Sequence, residues 1–131
     1  MTTGQPDEAV TVVYRTVVTG VGEQVPAFVD AGILILFADS SPEELHSISV
    51  LHSADIQEAG PVSGDILQIG DVDIEVLAVG PVVEANLLNL GHIDFKADGR
   101  SEPKLPGDVC VAKGALRTPE VGQVLRIVRP T

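Results

Sequence analysis

Apolar and polar positions alternate in short runs along most of the chain, and glycine, proline and aspartate bound the runs. Residues 9–19, rich in Val and Thr, predict a strand ended by Gly20 and Gly22. Residues 33–37 are an unbroken Ile-Leu-Ile-Leu-Phe, the pattern of a strand covered on both faces. Between these two, residues 23–30 fit neither template. Asp39, Pro42 and the carboxylates of Glu43 and Glu44 are ordered as in the first turn of a short helical segment. A strand over residues 48–52 then places His52 at or near a strand end. Residues 66–69 and 72–79 flank Gly70-Asp71 as a tight hairpin, with Asp71, Asp73 and Glu75 alternating on its solvent side. Over residues 82–90 the spacing becomes helical at Val83, Leu87 and Leu90, and Gly91 stands where a left-handed residue ends a helix. Strand patterns return at 92–96, 109–112 and 123–128, with a polar loop over 97–105.

Three segments share one motif: Ser63-Gly-Asp-Ile-Leu67, Pro106-Gly-Asp-Val-Cys110 and Val121-Gly-Gln-Val-Leu125 each put glycine and a polar residue before a strand. Recurrent short strands without long intervening helices exclude a doubly wound α/β sheet. The fold class they predict is all-β with minor helical turns, a closed or partly open β-barrel of short strands. Residues 1–8 read as a flexible N-terminus and residues 9–131 as a single domain, since no linker divides the chain.

Composition sharpens this. Aromatics supply only 3% of the 131 residues against 44% hydrophobic overall, so small branched side chains must fill the core. With 8 Lys and Arg against 19 Asp and Glu the formal charge is −11, which excludes nucleic acid as a natural partner and favours basic protein surfaces. Simple solubility explains the same charge equally well. Cys110 is the only cysteine; flanked by Val109 and Val111, it reads as a small buried apolar residue in a reducing, cytoplasmic setting. The first residues carry neither the charged nor the apolar region of an export signal, and the longest apolar run is too short to span a bilayer.

The side-chain chemistry gathers between Val50 and His92. One histidine on an apolar strand, with no acidic pair and no phosphate-cradling glycine loop, is poor equipment for hydrolysis or redox work but sufficient to carry a phosphoryl group on an imidazole nitrogen. A structural, packed histidine is the competing reading of His52. His92, after Gly91, reads as a cap on helix carbonyls or a packing residue, with support of an active site as the other role. His46, among Glu43, Glu44 and Ser47, reads as a solvated surface residue. The three histidines lack the spacing of a metal site, so neither metal nor cofactor is expected.

Val50-Leu51-His52, Leu77-Ala78-Val79-Gly80, the block Asn86-Leu-Leu-Asn-Leu-Gly-His-Ile-Asp-Phe-Lys-Ala-Asp-Gly99 and Leu105-Pro-Gly-Asp-Val-Cys-Val111 together resemble the glucitol/sorbitol-specific enzyme IIA component of the bacterial phosphoenolpyruvate-dependent sugar phosphotransferase system. The resemblance runs over roughly residues 10–129. It implies a β-barrel-like fold and a phosphotransferase component that acts through a phosphohistidine. His52 would accept the group on Nε2 from the phosphocarrier protein HPr and pass it to the IIB component of a sorbitol-type permease. Membrane association would then be indirect, through the IIB and IIC permease components. On this reading Nδ1 donates to a backbone carbonyl or carboxylate, and Ser53, Ser49 or Ser63 supplies hydroxyls to the phosphoryl oxygens. The chain departs from the family at one point: members can carry His-Cys-His where this chain has His52, Ser53 and Ala54. Two other classes compete, a non-catalytic regulatory or protein-interaction β-barrel module and a small-ligand binder. Whether an edge strand makes a homodimer is open.

Overall fold

A computed structural model describes residues 10–131, and the N-terminal segment assigned to residues 1–8 lies outside the described residues. Nine strands form one mixed sheet: β1 (Val10–Val21), β2 (Ile33–Ala38), β3 (Val50–Gln57), β4 (Ile66–Ile69), β5 (Val72–Glu75), β6 (Ala78–Val79), β7 (Ile93–Lys96), β8 (Asp108–Cys110) and β9 (Val124–Pro130). Their order across the sheet is β5-β4-β9-β1-β3-β2-β7-β8-β6. The β2–β3 and β7–β8 pairs are parallel and the other ladders antiparallel. Two short helices, α1 (Val25–Asp30) and α2 (Val83–Leu90), and a 3₁₀ turn over Glu43–Ile48 complete the described chain.

The mostly β expectation holds, but closure does not. No ladder joins the terminal strands β5 and β6, so the sheet is open and fits the partly open alternative. These outer strands are nevertheless consecutive, separated by Val76 and Leu77 alone. The predicted strand over 72–79 breaks there because its backbone changes partners: Val76 N–H bonds Asp65 O, whereas Leu77 N–H bonds Cys110 O on β8. Two residues can bridge the outer strands only if the sheet curls until they meet.

The curl encloses a core of small and branched side chains, among them Val13, Val18, Leu34, Leu36, Val50, Leu67 and Val109, with Phe95 and Tyr14 as its large aromatics. Each strand gives alternate residues to it. In β2 Leu34 and Leu36 are buried while Ile33, Ile35 and Phe37 are half-buried, so the second face is covered only in part. Asp71, Asp73 and Glu75 are exposed, as their alternation requires. Strand β1 runs through Gly20 rather than stopping there; a bulge between Val18 and Gly20 absorbs the irregularity. Strand β3 begins at Val50 and continues to Gln57, five residues beyond His52, because β1 pairs with its full length.

Candidate functional site

His52 is the third residue of β3, opposite Val18 of β1 and Ala38 of β2. The alternation that buries Val50 turns the imidazole inward and leaves it 1% exposed. Both ring nitrogens are engaged. Nδ1 lies 2.6 Å from Thr16 Oγ1 and Nε2 lies 2.6 Å from the carbonyl oxygen of Gly91. A carbonyl can only accept, so Nε2 carries the proton and Nδ1 accepts from the Thr16 hydroxyl. The expected backbone carbonyl therefore faces Nε2, and a buried hydroxyl takes the place foreseen for it at Nδ1. Burial lowers the His52 pKa, outweighing the Gly91 bond and the charge of Asp39, which both raise it. The ring is neutral at neutral pH.

The sequence places Gly91 with care. Helix α2 ends there with φ +63°, and the N–H groups of Gly91 and His92 bond Leu87 O and Asn86 O. A Cβ at position 91 would stand 2.8 Å from both Cβ and N of Ala38, so the left-handed turn also lies directly on β2. That contact aims the Gly91 carbonyl at the imidazole.

The two ring edges face different surroundings. Thr16 lines a narrow apolar space in the core with Leu36, Leu67 and Phe95. Gly91 and His52 line an open cleft of about 610 Å³, walled by Tyr14, Phe37, Asp39, Ser41, Leu45 and Leu88. Nε2 is thus bonded to a residue of the cleft lining and Nδ1 to a residue of the core space, and Tyr14 lines both. Leu88 and Leu90, 37% and 54% exposed, stand on the cleft wall; Leu90, predicted to face the core, turns outward instead.

The remaining predicted residues are distributed more widely. Ser53 is exposed, on the face of β3 opposite the imidazole, and borders the cleft. Ser49 is fully buried and donates to Leu45 O, and Ser63 donates to Leu77 O, so those two hydroxyls are committed elsewhere. His92 stacks on Phe37 with ring centroids 4.0 Å apart, and its Nδ1 donates to Leu36 O. Its main-chain N–H, not its ring, caps α2. His46 is half-buried rather than solvated, because its Nε2 donates to Ser41 O across the 3₁₀ turn. Among the described residues no group of three or more His, Cys, Asp or Glu is placed to hold a metal ion, and no helix is long and apolar enough to cross a membrane. Sequence reasoning missed Thr16, Tyr14 and the Gly91 carbonyl. Thr16 reaches His52 through a ladder 36 residues apart, and nothing local announces it.

Comparison with known proteins gives a consistent picture. Residues 13–126 match the family described as the PTS system glucitol/sorbitol-specific IIA component. The PTS system glucitol/sorbitol-specific EIIA components of Shigella flexneri and Escherichia coli (strain K12) are each 32% identical over 102 residues, covering 78% of this chain and 83% of theirs. In fold the chain is similar to the crystal structure of a PTS system IIA component from Enterococcus faecalis V583, with TM-score 0.71, 21% identity and coverage of 87% of this chain and 98% of that one.

Proposed function

Because the chain belongs to the glucitol/sorbitol-specific IIA component family of the sugar phosphotransferase system, we propose that it is a phosphocarrier whose acceptor is His52 Nε2. The observation that carries this reading is the placement of a neutral imidazole on the lining of the cleft, with Nε2 bonded to the carbonyl of Gly91, another lining residue. Neutral imidazole has the lone pair that attack on phosphorus needs, and an N–P bond is labile enough to release the group again. The donor is phospho-HPr and the acceptor is the IIB component of a glucitol/sorbitol permease, so the protein works in the cytoplasm and meets the membrane only through its partners.

Transfer is an in-line displacement. His52 Nε2 forms a bond to phosphorus as the donor's N–P bond breaks, and the donor nitrogen keeps the electron pair. The ring must first change tautomer: Nε2 releases to solvent the proton it donates to Gly91 O and Nδ1 takes one up from solvent, so the ring stays neutral with its lone pair on Nε2. Thr16 Oγ1 accepts that proton's hydrogen bond as readily as it donated before, which fixes the ring while positive charge grows on it.

One observation favours a second reading. An imidazole 1% exposed with both nitrogens bonded is also what a structural histidine looks like, as an interaction module would keep. Intact mass after incubation with enzyme I, HPr and phosphoenolpyruvate separates the two. The carrier gains one phosphate, about 80 Da, that His52→Gln does not gain. No gain in wild type leaves the interaction module.

A further inference from the structure

Three buried side-chain polar atoms lack a hydrogen-bond partner among the described residues, and two of them, Tyr14 Oη and Ser41 Oγ, belong to residues that line the His52 cleft. Tyr14 is 2% exposed and packs edge-on to the imidazole, with ring centroids 6.3 Å apart at 64°. A hydroxyl shut away from water is expected to be bonded. One such orphan packed against the imidazole and a second on the lining of the same cleft, which includes Asp39 but no lysine or arginine, call for an acceptor-rich visitor. The other polar residues there are already solvated: Ser40, Ser53, Gln57 and Asn89 are exposed and lose hydration on meeting an anion.

We propose that Tyr14 Oη and Ser41 Oγ donate hydrogen bonds to the oxygens of the phosphoryl group on His52 Nε2, forming a cradle of neutral hydroxyls that bears its negative charge. This deepens the phosphocarrier reading and rests on it. The Tyr14 ring is packed in place before the group arrives, so its hydroxyl costs little reorganisation during transfer. They give up no proton to it; the phosphorus–nitrogen exchange is complete without them. Burial pushes the Tyr14 phenol up to about 12, which keeps it a donor throughout the working pH range. Phe37, Leu45 and Leu88 make part of the cleft wall apolar, and a partner that covers them would strengthen both bonds by excluding water.

The test compares wild type, Tyr14→Phe, Ser41→Ala and the double variant, each phosphorylated by phospho-HPr and separately by phosphoramidate, a donor too small to need a protein interface. Mass spectra over time give the rate of uptake on His52. The expected result is slower uptake from both donors, by about 10- to 100-fold for each single variant. Tyr14 is the only tyrosine and there is no tryptophan, so the near-ultraviolet spectrum supplies a readout that needs no variant. Phosphorylation of wild type shifts the tyrosine band as its hydroxyl gains an anionic acceptor, and His52→Gln treated alike shows no shift. Unchanged rates in the variants, or an unchanged tyrosine band in fully phosphorylated wild type, overturn the cradle while leaving the carrier reading intact. Failure of wild type to take phosphate from either donor refutes the carrier reading, and the cradle falls with it.

Discussion

Thr16→Val removes one hydroxyl and keeps the side-chain shape, so it isolates the bond to His52 Nδ1. In the resting protein Nδ1 is a neutral acceptor at 2.6 Å from the hydroxyl, and both residues are 1% exposed. Orphaning it costs about 1 kcal/mol of stability, a fall in Tm of roughly 4 °C for a chain of this length. During transfer to Nε2 the same nitrogen becomes a donor carrying growing positive charge, and a charge-assisted bond is worth about 2–3 kcal/mol. The barrier therefore rises by the difference, about 1–2 kcal/mol, which slows phosphorylation by roughly 5- to 30-fold. Thermal melting gives the first quantity and the rate of mass gain from saturating phospho-HPr gives the second. Thr16→Ser, which restores the hydroxyl, should recover most of the rate. A Thr16→Val protein that melts lower but accepts phosphate at the wild-type rate would refute the assignment of Nδ1 as the charge-bearing nitrogen.

Other consequences follow from the same geometry. The His52 pKa lies below its unfolded value near 6.5, so its contribution to stability is complete above that pH and is lost as pH falls toward the lowered folded value, where the unfolded chain binds the extra proton. Urea midpoints across this window should fall more steeply for wild type than for His52→Gln; parallel curves would contradict it. Gly91→Ala puts a side chain on φ +63° and a Cβ 2.8 Å from Ala38, costing about 1–2 kcal/mol from the backbone alone and moving the carbonyl off Nε2. Lower Tm with a displaced His52 Nε2–H resonance is expected, and an unmoved resonance would count against the Gly91 bond. Alkaline titration of the single tyrosine should show phenolate absorbance with a midpoint of about 12; a value near the ordinary 10.0 would mean that Tyr14 is not buried in solution.

What could be read in the sequence divides by the range of the interaction that decides it. Helix α2 and its left-handed stop at Gly91 were legible, because spacing and capping are local. So was the β4–β5 hairpin, in which Gly70 has φ +60°. The extent of β3 was not: Ser53, Asp55 and Gln57 look like the start of a loop, yet they are the outward positions of a strand that β1 pairs to its end. The break at Val76 was equally hidden, since two successive N–H groups choose partners from distant segments. His52 entered as the candidate acceptor through the resemblance to the family, and its inward place on β3 follows from the strand alternation. Thr16 and Tyr14 were not, because only the register of β1 against β3 brings them to it.

The two bonds that hold His52 respond differently to the chemistry proposed for it. Thr16 can reverse its role, since a hydroxyl both gives and accepts a proton, and the ring need not move when Nδ1 gains its hydrogen. The Gly91 carbonyl has no such freedom. Once Nε2 presents a lone pair, two acceptors face each other at a distance set for a hydrogen bond, and the arrangement becomes repulsive. The cost of preparing the nucleophile therefore concentrates at the C-terminal turn of α2, and relief requires that turn to withdraw. Leu88 and Leu90 belong to the same turn and stand exposed on the wall of the cleft. A partner that buries them acts directly on the segment carrying the opposing carbonyl, so on the phosphocarrier reading docking favours an exposure of the acceptor nitrogen that the free protein also reaches. Leu90→Ser should then slow transfer from phospho-HPr while leaving transfer from phosphoramidate nearly unchanged. Equal slowing with both donors would separate docking from the opening of the site.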